Sequence, residues 1–162
     1  KDSKRFTNKT KLMETYDYIK DYAIDFSVAW VDEKEIDKKN IRKATYHAMH
    51  KVIDNISTKC DLLLIDGNDF IPYIKPGEGD DFISIPHKCI VKGDDTYTSI
   101  AAASILAKVE RDIYIEELCK EYPYLIEHYN LLSNKGYGTK LHIEGIKQHG
   151  LSEFHRKSFK LR

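Results

Sequence analysis

Apolar residues recur along the chain with two spacings, one typical of helices and the other typical of strands. Steps of three and four residues predict amphipathic helices from about residue 7 to 22 and from about 37 to 56. Residues 24–30 instead alternate between apolar and more polar side chains, which predicts a strand with one face more buried than the other. The continuous apolar run in "DLLLID", residues 61–66, is expected of a strand that is covered on both faces.

The second half of the chain continues this order. A stretch that contains Pro and Gly, residues 67–81, predicts a loop, and "FISIP" and "KCIVKG" are short strand candidates. A long helix is expected from about residue 98 to 121, ended by Pro123, and the loop "LLSNKGYGT" lies beyond it. The last predicted helix, from about 141 to 149, is followed by Gly150 in the left-handed conformation that is common after a helix.

Alternating helices and strands predict an α/β fold in a single domain over residues 1–162, with 140–162 as a C-terminal helix and basic tail. A chain of 162 residues is long enough for one domain with a substantial core. A sheet of two or three strands is thin, however, and no strand is predicted before the first helix. We therefore expect that one or more N-terminal strands of the sheet are missing from this sequence.

The composition narrows the class of protein. Hydrophobic residues make up 41% of the chain and charged residues 32%, which excludes a disordered chain. No apolar run approaches the roughly 18 residues of a membrane helix and no signal-peptide pattern opens the chain, so we expect a cytoplasmic protein without a membrane partner. Cys60, Cys89 and Cys119 are odd in number and far apart, which predicts reduced structural thiols.

The formal net charge of zero excludes a polycationic coat protein for nucleic acid. The charges are nevertheless uneven, because basic residues gather near both ends and acids gather at Glu78, Asp80 and Asp81. This distribution fits a local contact with an anion, and it fits solvated chain ends equally well.

Two aspartates directly follow apolar strand candidates. Asp66 ends the run "LLLID", and Asp94 follows the next such run in "VKGDD". Open α/β sheets hold ligands at the carboxyl ends of strands, and Mg²⁺ and Mn²⁺ prefer carboxylate, water and phosphate oxygens. These positions suggest a metal site, while "IDGN" is also typical of a plain tight turn. Asp112 lies four residues after Lys108 on the same helix face, and an ordinary exposed ion pair between the two is one interpretation of it.

Two further stretches could contact phosphates or sugars. The small residues 101–104 open the long helix, where they either present backbone N–H groups to a phosphate or pack the helix closely against a sheet. In "NKGYGT" two glycines flank Tyr137, so its ring could stack on a sugar or base and its hydroxyl could test for a ribose 2′-hydroxyl. The alternative is a tyrosine that anchors the loop in the core.

Six segments in series resemble the ribonuclease HII family over essentially the whole chain: "KDSKRFT", "EIDKKNIRKATYHAM", "LLLIDGN", "IVKGDDTYTSIAAASILAKVERD", "NKGYGTKLH" and "GLSEFHRKSF". The resemblance implies a ribonuclease H-like fold with a mixed central sheet flanked by helices. It also implies a monomeric endonuclease of DNA replication and repair that cuts the RNA strand of RNA–DNA hybrids and single ribonucleotides embedded in DNA. Its products would carry 5′-phosphate and 3′-hydroxyl ends, and Mg²⁺ or Mn²⁺ would serve as cofactor.

The resemblance also suggests roles for individual residues. Asp66 and Asp94 match metal-binding catalytic aspartates, and Asp112 matches a third acidic position near the active site. Tyr137 matches the tyrosine that senses the 2′-hydroxyl at the junction of ribose and deoxyribose. Positions near the active site or the nucleic-acid backbone are matched by Lys4, Asn40, Ser104 and Lys108.

One departure from the family pattern concerns the first strand. Family members carry an Asp-Glu pair there, followed by a Gly-Arg-Gly loop, and neither motif occurs in this sequence. The natural protein could possess that segment and be the complete nuclease. Alternatively, the chain as given is a nucleic-acid-binding domain that cannot cleave, or another polypeptide supplies the missing strand.

Overall fold

The computed structural model describes residues 8–77, 79 and 81–159. The described residues form two compact units, the first within Lys1–Trp30 and Thr45–Val109 and the second within Val31–Ala44 and Glu110–Arg162. The single domain over residues 1–162 stays a prediction. Residues of the basic tail beyond 159, together with Glu78 and Asp80, lie outside the described residues.

The elements follow one another as helices and short strands. In chain order they are α1 (Lys9–Tyr22), α2 (Glu33–Lys39), α3 (Ile41–Asn55), β1 (Leu63–Asp66), β2 (Ile74–Pro76), β3 (Phe82–Ser84), β4 (His87–Ile90), a 3₁₀ turn (Gly93–Asp95), α4 (Thr98–Glu121), α5 (Tyr124–Tyr129), α6 (Leu131–Asn134) and α7 (Lys140–His149). The predicted α/β class is therefore confirmed.

Three helices agree with the sequence pattern. The α1 helix starts where the Asn8 side chain accepts a hydrogen bond from the backbone N–H of Thr10, at 2.8 Å. The α4 helix covers the predicted residues and ends before Pro123. The α7 helix ends at Gly150, whose φ of 80° is positive as expected but whose ψ of −172° is extended rather than left-handed helical.

The single helix predicted over 37–56 is wrong, because Asn40 divides it into α2 and α3. Asn40 has φ 69° and ψ 159°, a conformation that interrupts a helix. Its side-chain Oδ1 accepts a hydrogen bond from the backbone N–H of Lys43 at 3.1 Å, which caps the start of α3. The α3 helix therefore begins after a single intervening residue.

The strands of the first unit form two small sheets. β1 and β4 pair in parallel, with Asp66 opposite Ile90, while β2 and β3 pair antiparallel. β2 lies within residues 67–81, where the pattern predicted only a loop. The expectation that β1 is covered on both faces is wrong, since Ile65 is its one buried residue.

The strand predicted over residues 24–30 is absent from the described structure. Ile24 is 92% exposed, so the alternating pattern does not mark a buried face. The segment is held by Asp25, whose carboxylate accepts hydrogen bonds at 2.9 Å from the backbone N–H groups of Ser57 and Thr58 and from the Ser57 hydroxyl. These three bonds lower the pKa of Asp25 to about 2.

Each unit has its own apolar cluster. In the first, Tyr46, Ile65, Phe70 and Tyr73 pack together. The second is built by Ile115, Leu118, Cys119, Leu125, Tyr129, Leu131 and Ile146. All three cysteines are free thiols, as predicted. Among the described residues no helix has the length and apolar character that a bilayer crossing requires.

Candidate active site

Asp66 is the last residue of β1, and the parallel pairing with β4 fixes its position. The backbone N–H of Gly67 donates to the carbonyl oxygen of Ile90 at 3.0 Å, which continues the pairing one residue past the strand. The backbone N–H of Gly93 donates to Asp66 Oδ1 at 2.9 Å. Within the described residues this is the hydrogen bond that orients the carboxylate.

Asp94 follows β4 in a tight turn that leads into α4. Lys92 has φ 56° and ψ 43°, so the chain reverses in a left-handed residue directly before Gly93. The backbone N–H groups of Thr96 and Tyr97 then donate to the Gly93 carbonyl at 3.0 and 2.8 Å. The turn holds Asp94 half-buried, at the same end of the parallel pair as Asp66.

Gly93 is buried, and a side chain there would meet its surroundings. A Cβ atom at this position would lie 2.5 Å from Ile100 Cδ1 and 3.4 Å from Ile90 Cβ. Glycine therefore allows the turn to approach both β4 and the first turn of α4. The same close approach brings the Gly93 N–H within reach of Asp66.

The α4 helix begins four residues after Asp94. Its buried face in the first unit comprises Ile100, Ala101, Ile105, Leu106 and Val109. Ser104 and Lys108 are half-buried and lie one helical turn apart, so they share a helix face. Close packing is thus observed at Ala101, in agreement with one of the two alternatives for the small residues.

Tyr137 lies in a loop of the second unit that is tied to the chain on both sides. Its backbone N–H donates to the Asn134 carbonyl at 2.9 Å, and its carbonyl accepts from the Thr139 N–H at 2.8 Å. Its side chain is 64% exposed, so it does not anchor the loop in the core. The core-anchor alternative is therefore wrong.

Arg111 supports the Tyr137 loop from α4. Its Nη1 donates to the Lys135 carbonyl at 2.6 Å, and the guanidinium carbon lies 5.7 Å from the centre of the Tyr137 ring. That distance is typical of a cation–π contact. Lys135 is itself paired with Glu116 at 2.9 Å. The loop thus presents an exposed ring against a fixed cation.

The predicted site residues fall into separate groups. Asp66 and Asp94 are brought to one sheet edge, and the half-buried Ser104 and Lys108 follow on α4 in the same unit. The second unit contains Asn40, Asp112 and Tyr137. Asn40 caps α3, and Asp112 is half-buried on α4. Lys4 lies outside the described residues.

The donors at the sheet edge suit a hard divalent cation in part. Asp66 and Asp94 supply two carboxylates, the ligand type that Mg²⁺ and Mn²⁺ prefer. Within the described residues no group of three or more His, Cys, Asp or Glu side chains is arranged to hold a metal ion. The two aspartates thus provide an incomplete set of oxygen ligands.

The pattern did not identify two groups that shape these positions. The Gly93 N–H that orients Asp66 is a backbone donor, and its only trace in the sequence is a glycine after a strand. Arg111 appeared only as one charge in "VERD", although it holds the Tyr137 loop. Contacts of this kind depend on how loops turn, which residue spacing does not specify.

Comparison with known proteins reveals similarity along the whole chain. A sequence model described as Ribonuclease HII matches residues 1–162. A Ribonuclease HII of Parabacteroides distasonis is 47% identical over 160 residues, which cover 99% of this chain and 73% of that protein. A Ribonuclease HII of Christiangramia forsetii is 48% identical over 143 residues, which cover 88% of this chain and 66% of that protein. A third, from Bacteroides thetaiotaomicron, is 42% identical over 160 residues, which cover 99% of this chain and 73% of that protein.

Proposed function

Because the chain belongs to the ribonuclease HII family, we propose that it is an endonuclease that hydrolyses the RNA strand of RNA–DNA hybrids and cuts at ribonucleotides embedded in DNA. The observation that carries this proposal is the pairing of β1 with β4, which brings Asp66 and Asp94 to one sheet edge. Carboxylates at the carboxyl ends of parallel strands are well suited to phosphodiester hydrolysis that depends on a metal.

In the proposed reaction a water oxygen bonds to the phosphorus atom and the bond from phosphorus to the 3′-oxygen breaks. The water loses a proton and the departing 3′-oxygen gains one, so the products end in a 5′-phosphate and a 3′-hydroxyl. Asp66 and Asp94 would hold Mg²⁺ or Mn²⁺, which activates water and stabilises charge on the leaving oxygen when it is bound.

The residues of the chain serve orientation and recognition. The Gly93 N–H keeps Asp66 in one orientation, which favours a fixed ligand geometry. Lys108 and Ser104, on one face of α4, would contact a phosphate of the nucleic acid. Tyr137 would stack on the sugar or base at the ribonucleotide and test for its 2′-hydroxyl. Asp112, Asn40 and Lys4 keep their proposed supporting roles near the site or the backbone.

The direct test uses a DNA duplex that contains one ribonucleotide, with either Mg²⁺ or Mn²⁺ present. We expect a single cut at the ribonucleotide, and a chelator should stop it. Binding of the duplex without any cut would instead support a nucleic-acid-binding domain that does not cleave. A cut that persists in excess chelator would contradict the proposed dependence on a metal.

Substitution of the two aspartates tests the metal ligands. Asp66→Asn and Asp94→Asn should each lower the cleavage rate by roughly 100-fold or more, because loss of even an outer-shell partner of a metal costs about 10- to 100-fold. Asp61→Asn is the matched control, since the Asp61 side chain is 86% exposed and pairs only loosely with Lys59, at 3.6 Å. If Asp66→Asn cuts as fast as the Asp61 control, the ligand assignment is wrong.

A monomeric state and a cytoplasmic location complete the proposal. The relatives that match the chain come from bacteria, whose genome is copied in the cytoplasm, where RNA paired with DNA would arise. Sedimentation analysis with and without the duplex tests the monomer, and a mass equal to two chains would refute it. Cell fractionation tests the location.

A further inference from the structure

Two histidines of the second unit, one buried and one half-buried, lie in contact close to the Tyr137 loop. His142 on α7 is 6% exposed, and its Nε2 lies 3.1 Å from Nε2 of the half-buried His155. The Nδ1 atom of His142 lies 3.3 Å from Oδ1 of Asn134, which is 7% exposed. Nδ1 of His155 faces Ser152. These four residues form one continuous row of hydrogen bonds, the Asn134–Ser152 chain.

Backbone groups fix the direction of the hydrogen bonds at both ends of the Asn134–Ser152 chain. The backbone N–H of Ser152 donates to His155 Nδ1 at 3.0 Å, so this nitrogen accepts. At the other end, the backbone N–H of Gly136 donates to Asn134 Oδ1 at 2.9 Å. The Asn134 amide nitrogen donates to the Tyr129 carbonyl at 2.7 Å, which confirms the orientation of the amide.

Only one arrangement of protons satisfies both ends. Asn134 Oδ1 accepts, so His142 Nδ1 must carry hydrogen and donate to it. His155 Nδ1 accepts, so a neutral His155 carries its hydrogen on Nε2 and donates to His142 Nε2. Both rings are therefore neutral and have opposite tautomers. A proton added to either ring would set two N–H donors against each other.

The surroundings of the two rings favour the neutral forms. Burial lowers the pKa of His142, and burial together with the nearby His142 and Arg156 lowers the pKa of His155. The other ring packed against both histidines is Tyr129 of α5, whose hydroxyl donates to the Gly150 carbonyl at 3.0 Å. Burial raises the pKa of this tyrosine, so it stays neutral as well.

The Asn134–Ser152 chain ends in the loop that carries Tyr137. Asn134 accepts from the Gly136 N–H through its side chain and from the Tyr137 N–H through its carbonyl. Tyr137, which carries the ring, and Gly136 directly before it are thus both tied to Asn134. Any rotation of the Asn134 side chain would break the bond to Gly136.

We propose that His142 and His155 are positioning residues that hold the Tyr137 loop through Asn134 and thereby set the preference of the protein for ribose over deoxyribose. The inference rests on the proposed function, because it assumes that Tyr137 senses the 2′-hydroxyl. It adds that residues outside the Tyr137 loop determine how well the ring is placed. A loop held by buried, fully paired polar groups keeps its geometry better than a free one.

The proton arrangement can be measured directly in the full chain. Nitrogen NMR on protein labelled at histidine should show one ring with hydrogen on Nδ1 and a second with hydrogen on Nε2, both neutral at pH 7. His142→Gln and His155→Gln assign the two signals, since each removes one of them. A charged ring at either of these two assigned positions, or the same tautomer at both, would overturn the chain of bonds.

The functional test compares two substitutions of His155. Asparagine retains an acceptor for the Ser152 N–H but cannot reach His142, whereas glutamine places a donor near His142 and loses the bond to Ser152. The readout is the ratio of dissociation constants for an all-DNA duplex and the same duplex with one ribonucleotide. We expect His155→Asn to lower this ratio about 3- to 10-fold, the effect of one lost hydrogen bond, and His155→Gln to preserve most of it.

If His155 served only to cap the segment at Ser152, asparagine would be the milder change and the order would reverse. His149→Gln is the control, because His149 is an exposed residue of α7 that stacks on His128 outside the chain of bonds. This control should leave the ratio unchanged.

A double-mutant cycle separates this inference from the proposed function. In the Tyr137→Ala background, His155→Asn should cause no further loss of ribose preference, because the ring it positions is gone. Equal effects in both backgrounds would overturn the positioning role alone. A wild-type chain with no preference for the ribonucleotide duplex would overturn the proposed function and this inference together.

Discussion

Tyr137 is the residue whose exposure bears most directly on recognition. Its ring is 64% exposed and contacts Arg111, so its removal leaves the apolar cluster of the second unit intact. We expect Tyr137→Ala to reduce discrimination between ribose and deoxyribose by about 10-fold, because it removes a hydrogen bond and a stacking contact. Competition binding with matched duplexes measures this, and Tyr137→Phe isolates the hydroxyl. A fall in thermal stability with equally weaker binding to both duplexes would contradict the prediction.

The aspartates show how much of the candidate site could be predicted from sequence. Asp66 and Asp94 each follow an apolar run, and strand ends are local features that a pattern reveals, so their common sheet edge was foreseeable. The hydrogen bond from Gly93 was not, because it depends on the left-handed turn at Lys92. A lysine in the sequence does not indicate a left-handed backbone, because this conformation is uncommon for residues other than glycine.

At the scale of elements, the break between α2 and α3 depends on one residue. Asn40 combines a strained backbone, φ 69° and ψ 159°, with a side-chain cap on α3. Asn40→Ala loses the cap and keeps the strain, and should lower the free energy of unfolding by about 1–3 kcal/mol. Asn40→Gly relieves the strain and should be nearly neutral. Urea denaturation compares the two, and equal losses would show that the strain is unimportant.

The contact between α5 and α7 depends on a residue without a side chain. A Cβ at Gly145 would overlap the backbone carbonyl oxygen of His128, which cannot move as a side chain could. We expect Gly145→Ala to cost about 3 kcal/mol or more, the upper range for overpacking. Gly138→Ala is the control, since its Cβ would meet no atom within 4 Å. Thermal unfolding should show a large loss for the first and little change for the second.

The sequence predicted an element correctly where a single local signal determines its position. The α4 helix has a long helical pattern and a proline just beyond its end, and both bounds were confirmed. The segment 24–30 has strand-like alternation, but a strand forms only when another strand supplies hydrogen bonds. Alternation within one segment says nothing about that partner. For the same reason β2 was missed, since its pairing with β3 compensates for a weak local pattern.

At the scale of the whole molecule, His142 and His155 should make stability depend on pH. Their pKa values lie below the ordinary 6.5, so the unfolded chain binds protons more readily than the folded one as the pH falls through that value. Their contribution is complete above about pH 7 and is lost progressively below it. Hydrogen bonds lower the pKa values of Asp25 and Asp37. The stabilisation that these two carboxylates contribute is therefore lost only below about pH 4.

Denaturation between pH 7.5 and 5 should therefore show a falling free energy of unfolding. His142→Gln should make the free energy of unfolding depend less steeply on pH, because it removes one titrating ring. It also removes the charge that helps to lower the pKa of His155. The slope between pH 4 and 3 should be unaffected by this substitution. An unchanged slope from pH 7.5 to 5 would show that His142 binds protons equally well in the folded and the unfolded chain.

The hydrogen bonds around Asp66 also affect the chemical stability of this residue over time. An aspartate followed by glycine is prone to ring closure, in which the glycine nitrogen attacks the side-chain carboxyl carbon and water leaves. Another water then opens the ring at the main-chain carbonyl, and an isoaspartate results. Here the Gly67 N–H is held by Ile90 and the Asp66 carboxylate by Gly93, so neither group is free to turn toward the other. Unfolding releases both. Peptide mapping after prolonged incubation should find isoaspartate at residue 66 mainly in denatured samples, so that a proposed metal ligand is chemically protected by the same fold that orients it.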